Sequence, residues 1–333
     1  MASIRDVAKK AGVAACTVSR VLNGTATVSP ETRVKIEKAM KELDYIPNEL
    51  ARGMFRQKSG IIAMLVPSIK HPFFSSLADY IEKELYVKGY KLMLCSTSGS
   101  IEREQEYLNT FKSNLVDGII MAVNSLPETV YEKFAKPMVM LDCQISENIP
   151  FVVSDHKMGG RLAAEEFIKN NCHHVLHLCA EKEEKKILSY EGHETLEQIL
   201  SEHGIKTRGQ EIRWNSFDLN GYRELAELIL KNYPDIDGIM AADMAALAFY
   251  EAGQKLGKRI PDELCIIAYD GTYILDVIDA NLTTIVQNLE LYSAQVVDTI
   301  LTLIENPGEH VKNIYVPVSL RNVKSSKITS NSY

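Results

Sequence analysis

Apolar positions change their spacing near residue 60. Before it they recur at helical intervals in three short segments. Ile4, Val7, Ala8 and Ala11 form one stripe, opened by Ser3 with Asp6 three residues on, a capping-box pattern, and closed by Gly12. Val18, Val21 and Leu22 form a second stripe. Ile36, Ala39, Met40 and Leu43 form a third, opened by Ser29-Pro30. Three short helices about one small core, with a glycine-containing turn between the first two, predict a helix-turn-helix unit over 1–46. From Ser59 onward, strand-like runs alternate with helical stretches. Strands are expected at 61–66, 91–96, 118–123 and 138–142, with helices near 74–88, 101–114 and 126–135. A second series has strands at 152–155, 175–179, 211–214, 238–242 and 264–270, with helices at 157–170, 189–203, 219–232 and 244–256. This alternation predicts an α/β body over 60–333 with parallel sheets, helices on both faces and two similar lobes. The segments 283–287, 289–304 and 314–320 read as crossing back between the lobes. Ligands in such folds sit beyond the C-terminal ends of the strands, here also between lobes.

Composition adds little until the charge is divided. Hydrophobic residues at 46% and charged residues at 24% are ordinary globular values and argue against disorder and fibrous classes. The longest aliphatic run, 61–66, is far short of a membrane span of about 20 residues. The first residues carry no apolar signal core, so a cytoplasmic protein is expected. The six cysteines are dispersed and read as reduced thiols. The net charge of −7 argues against nucleic acid, yet residues 1–60 hold eleven Lys and Arg against six Asp and Glu, net +5. The other 273 residues hold 26 against 38, net −12. A small basic head on a large acidic body points the head at a polyanion.

In a helix-turn-helix the second helix enters the major groove of double-stranded DNA and reads base edges. Ala15, Cys16, Ser19 and Arg20 are expected to point outward together. Arg20 has the fork to donate two hydrogen bonds to guanine, Ala15 and the Cys16 thiol are small enough for a thymine methyl, and the Thr17 and Ser19 hydroxyls suit phosphate oxygens. Each residue taken singly also reads as ordinary helix surface.

The residues Ile4-Arg5-Asp6-Val7-Ala8, Ala11-Gly12-Val13, Thr17-Val18-Ser19-Arg20-Val21-Leu22-Asn23, and Tyr45-Ile46-Pro47-Asn48 with Ala51-Arg52 resemble the lactose-repressor family of bacterial transcription regulators. The resemblance continues to about residue 320. It implies that Asn23, Asn48, Ala51 and Arg52 join the DNA contacts. It also implies a hinge helix within 47–59 that folds on DNA and places Met54 in the minor groove, where the family carries leucine. The chain departs from the family at Ala14, usually a serine cap worth about 1 kcal/mol. Gly53 weakens the hinge helix by a further ~1 kcal/mol relative to alanine. The family pairs as homodimers on palindromic operators. The tail from Arg321, polar and without leucine heptads, is not expected to add a coiled coil.

For the body the resemblance implies a fold like periplasmic sugar-binding proteins and carries over cleft residues one by one. Phe73 and Phe74, in His71-Pro72-Phe73-Phe74, match an aromatic that stacks on the C–H face of a sugar. Asp142 and Asp270 match carboxylates that accept hydrogen bonds from its hydroxyls. Phe217 matches a further aromatic. Asp243, in Ala242-Asp243, matches the second member of an Asn-Asp pair. Ser189 stands where the family places an effector-clamping arginine, and Lys185 and Lys186 lack the spacing of a bidentate fork. Taken alone, each Phe also reads as core and each Asp as a cap. Ser154-Asp155, Gly159-Gly160-Arg161 and Tyr269-Asp270-Gly271-Thr272 resemble sucrose-operon repressors most, and Asp270-Gly271-Thr272 also fits ribose repressors.

Other chemistry is weaker. His173, His174 and His177 with Cys172 and Cys179 lack a metal-ligand pattern. His193-Glu194 lacks the second histidine of a zinc-protease motif. Gly253 to Arg259 is one residue short of a phosphate loop, and there is no nucleophile elbow. The reading is therefore a dimeric repressor with no cofactor, controlled by a sugar or sugar phosphate. The alternatives are a corepressor-dependent regulator or activator, a sugar-acting α/β enzyme, and an exported sugar-binding protein, which the head contradicts.

Overall fold

The computed structural model of the chain describes residues 2–23, 28–46, 58–112, 115–180, 187–212, 218–277 and 282–321. The expected hinge contacts Asn48, Ala51, Arg52 and Met54 lie outside the described residues. So do Phe217, Lys185, Lys186, the tail beyond Arg321 and the side chain of Asn23.

The head consists of α1 (Ile4–Ala11), α2 (Ala15–Asn23) and α3 (Pro30–Glu42). The capping box is present. The Asp6 N–H donates to Ser3 Oγ at 3.3 Å, and the Ser3 N–H donates to Asp6 Oδ2 at 2.8 Å. Gly12 ends α1 in the left-handed region at φ 68, where a side chain would be strained. Ser29 Oγ accepts from the Thr32 N–H at 3.3 Å and opens α3. Val7, Ala8, Val18, Ile36 and Ala39 are buried together, as the periodicity predicts. Ala15 is a correction: it packs against this core. It shares the stripe of Val18 and Leu22, at i+3 and i+7, so it faces inward while Cys16 and Arg20 are exposed.

The body holds two six-stranded sheets with the same winding. The first contains β1 (Ile61–Val66), β2 (Lys91–Ser96), β3 (Gly118–Met121), β4 (Met138–Leu141), β5 (Phe151–Ser154) and β11 (Ile314–Val316), in the order β11-β5-β4-β3-β1-β2. The second contains β6 (His174–Ala180), β7 (Lys206–Ile212), β8 (Gly238–Ala242), β9 (Cys265–Asp270), β10 (Thr283–Gln287) and β12 (Val318–Arg321), in the order β12-β10-β9-β8-β6-β7. The described neighbour pairs are parallel except β10 with β12. Central strands such as β1 are apolar along their whole length because helices cover both faces.

Three assignments differ from the periodicity. The strand near 152 is the fifth of the first sheet rather than the start of a second series, because β5 pairs with β4 and β11. The segment 314–320 divides, β11 closing the first sheet and β12 the second. The strand expected at 211–214 begins at Lys206. It is an edge strand paired only with β6, so its sequence KTRGQEI shows no continuous apolar run. Helices follow the crossings. After β5, α7 (His156–Lys169) packs in the second lobe on α8 (Tyr190–Glu202). After β10, α12 (Leu289–Glu305) returns to the first lobe, where Val296, Val297 and Ile300 share a core with Ile62, Met64 and helix α4 (Pro72–Val87). The remaining helices are α5 (Ile101–Phe111), α6 (Glu128–Glu132), α9 (Leu219–Asn232), α10 (Asp243–Lys255) and α11 (Ile274–Val277).

Candidate functional site

The C-terminal ends of the strands from both lobes enclose a cavity of about 170 Å³. Its first-lobe wall is aromatic. Phe73 and Phe74, at the start of α4, meet edge to face with centroids 5.2 Å apart. His71 caps this helix, its Nδ1 accepting from the Phe73 N–H at 3.3 Å, and burial pushes its pKa down to about 4. Such a wall supplies flat apolar area at little entropic cost.

Asp142 and Asp270 follow or end strands β4 and β9 and line the cavity. Both hold positive φ, 56° and 113°, values that side chains rarely adopt and that cost about 1–3 kcal/mol each. Asp142 Oδ1 accepts from His156 Nε2 at 2.8 Å. A carboxylate only accepts, so His156 carries a proton on Nε2, and its Nδ1 lies within hydrogen-bond distance of the Tyr269 hydroxyl, at 2.7 Å. Asp270 Oδ1 accepts from Gln287 Nε2 at 2.7 Å, and Gln287 Oε1 accepts from Ser154 Oγ at 2.6 Å. Burial raises the Asp270 pKa well above the usual range, aided by the charge of Asp243, so its carboxyl favours the protonated form. Asp270 is thus able to donate as well as accept. Both polar chains join the lobes, as does the Leu188 N–H donating to the Asp142 carbonyl at 3.0 Å.

Ser189, at the start of α8, also lines the cavity. Asp243 does not. Its Oδ2 accepts from the Thr272 N–H at 2.7 Å and from the Thr272 hydroxyl at 2.6 Å. Its Oδ1 accepts from the Gly271 N–H at 3.3 Å. Burial raises its pKa to about 6 against those three donors. The carboxylate therefore ties the turn after β9 and presents nothing to a ligand. Asp243→Asn puts an amide where only acceptors fit. It should lower the stability of the body by about 2–3 kcal/mol, read by urea unfolding. Unchanged stability with lost ligand response would restore Asp243 to the cavity.

Among the polar lining residues that sequence reasoning missed are His156, His193, Tyr269 and Gln287. His156 opens α7 two residues past β5 and Gln287 ends β10, so both stand beside strand ends as Asp142 and Asp270 do. His193 lies four residues after Ser189 on one face of α8. It stacks on His177 with centroids 5.0 Å apart, their Nδ1 atoms 3.1 Å apart, and His177 Nε2 lies 2.8 Å from Glu197 Oε1. Burial, then the imidazoles of His177 and His156, pushes the His193 pKa down to about 3. His173 and His174 instead pair with Asp237 and Asp235.

On the head, Cys16 and Arg20 are exposed on α2, with Thr17 and Ser19 half-buried beside them.

A trihelical head with a groove-reading helix, joined in one chain to a two-lobed body with a cavity at its strand ends, defines a ligand-controlled transcription regulator. Residues 3–48 match the bacterial regulatory proteins of the lacI family, and residues 59–325 match the periplasmic binding proteins and sugar binding domain of the LacI family. The chain belongs to the LacI family. It is 36% identical over 288 residues to the ribose operon repressor of Halalkalibacterium halodurans, covering 86% of each chain. It is 34% identical over 325 residues to the sucrose operon repressor of Streptococcus mutans, covering 96% of this chain and 98% of that one. Among solved structures it resembles the lac repressor dimer bound to operator and the anti-inducer ONPF, with a TM-score of 0.84 at 23% identity, covering 97% and 98%. No described helix is long and apolar enough to cross a membrane.

Proposed function

We propose that this chain is a cytoplasmic transcription repressor whose hold on operator DNA is controlled by a sugar in the body cavity. Its organisation is a DNA-binding head over 1–46, a linker over 47–59 and a sugar-responsive body over 60–333, without enzymatic activity of its own. The observation that carries this is the pairing of an aromatic wall, Phe73 and Phe74, with carboxyl groups of Asp142 and Asp270. A sugar ring has an apolar C–H face and a polar rim, and needs both. The ribose and sucrose operon repressors among its relatives point to a ribose-like or sucrose- or fructose-like effector.

The lac repressor structure is a dimer on its operator, and we propose the same assembly here on a palindromic site. Tyr86 and Val87 on α4 and Leu94 on β2 leave apolar surface exposed for a second copy to cover. A sugar that competes for Asp142 or Asp270 perturbs both polar chains between the lobes. It shifts the lobe arrangement by no more than its differential affinity for the two arrangements.

The experiment is operator selection from random duplexes, then gel-shift titration with D-ribose, D-fructose and sucrose. A palindromic consensus released by one sugar is expected. Binding indifferent to sequence would sink the repressor reading, and a sugar that tightens binding would make it a corepressor. Arg20→Ala should cost about 1–3 kcal/mol on the selected site and relax preference at one base pair. Uniform weakening on every duplex would mean that Arg20 contacts only phosphate.

A further inference from the structure

The cavity contains a tautomer lock. Glu197, half exposed on α8, presents a carboxylate to His177 Nε2 at 2.8 Å. A carboxylate only accepts, so His177 Nε2 carries the proton. With a single proton on its ring, His177 then has its lone pair on Nδ1. His193 Nδ1, at 3.1 Å, must donate to it. That leaves the proton of His193 on Nδ1 and a lone pair on Nε2. His193 lines the cavity, and Nε2 has no hydrogen-bond partner among the described residues. The groups facing His193 are the imidazoles of His177 and His156 and the Tyr190 ring, with Glu197 one step behind. His156 points its own N–H at Asp142, so it cannot lend that proton to a ligand.

We infer that His193 is a specificity-determining contact that acts as a hydrogen-bond acceptor, with His177 and Glu197 as its positioning residues. The effector is then an unphosphorylated polyhydroxyl compound that directs an O–H donor at His193 Nε2. Among the described lining residues there is no Lys or Arg, while the Asp142 carboxylate adds a second acceptor. A phosphate group turned toward that pair offers only acceptors and negative charge, so a phosphate ester is expected to bind less well than its parent sugar. This ligand class rests on the sugar reading above; the tautomer assignment does not.

Two measurements on the full-length chain test it. Long-range proton–nitrogen NMR of histidine-labelled protein at neutral pH, with His193→Phe for assignment, should show His193 Nε2 unprotonated and Nδ1 protonated. Glu197→Gln keeps an acceptor for His177 and should keep this state. Glu197→Leu should lose it. A protonated His193 Nε2 in the wild type, or a Glu197→Leu spectrum like wild type, overturns the lock. Calorimetric titration should show that at least one of D-ribose, D-fructose and sucrose binds. Ribose 5-phosphate, fructose 6-phosphate and sucrose 6-phosphate should bind less well than their parent sugars. His193→Phe should weaken the bound sugar at least about tenfold, the loss of one hydrogen-bond acceptor, with His193→Gln milder. A phosphate ester bound more tightly than its parent sugar, or a His193→Phe variant with wild-type affinity, overturns the contact while leaving the sugar reading intact. Binding of none of the six overturns the ligand class together with that reading, and the NMR result still decides the lock.

Discussion

Gly160→Ala should unfold the body at a temperature roughly 6–16 °C below wild type, from a loss of about 3–4 kcal/mol. A Cβ at Gly160 on α7 would clash with the carbonyl oxygen of Gly192 on α8. Both partners are backbone, so no rotamer relieves the clash and the two helices must move apart. Their separation would loosen Ala163, Ala164, Leu196 and Leu200, which share the core on that face of the second sheet. It would also displace His156 and His193, which ride on these helices. Thermal unfolding followed by circular dichroism measures the effect. A midpoint within about 2 °C of wild type, less than 1 kcal/mol would produce, would show that the helix crossing has room for a methyl group.

Asp270→Ala should still bind the operator but need roughly 100-fold more sugar for release. The substitution removes a carboxyl group from the cavity wall and leaves Gln287 Nε2 without its acceptor. An unmade hydrogen bond in a buried site costs about 1–3 kcal/mol on each side, so effector affinity should fall by roughly 100-fold. Asp270→Asn separates two accounts of the residue. Because burial favours the protonated acid, a neutral amide of the same shape should retain most of the affinity. Were the ionised carboxylate the active form, Asn should fail almost as badly as Ala. Gel-shift titration of both variants with the releasing sugar measures this, and an Asp270→Ala protein still released at wild-type sugar concentration would remove Asp270 from the site.

The head was legible because its information is local. Ser3 with Asp6, Gly12, and Ser29 with Pro30 mark helix ends within a few residues, and the stripes of Val7, Val18 and Ile36 name the inward face. Asp142 and Asp270 were legible through the family resemblance, and their place at the ends of apolar strand-like runs, where such folds bind ligands, agrees with it. Asp243 misled because it too follows a strand. Its carboxylate is consumed by Gly271 and Thr272, 28 and 29 residues away, and no local pattern encodes that.

Periodicity alone therefore established the helix-turn-helix and the alternation of strands and helices, and the family resemblance added two carboxyl groups of the cavity. It reports which face of an element is buried, through side-chain spacing of 3.6 or 2 residues. It does not report against what. That β5 closes the first sheet, that α12 returns to the first lobe, and that Ser154 meets Gln287 across 133 residues were decided by tertiary packing. The same holds for the histidines. His156 and His193 acquire their roles from Asp142, Tyr269, His177 and Glu197, partners brought within 3.1 Å only when the lobes and the α7–α8 pair assemble.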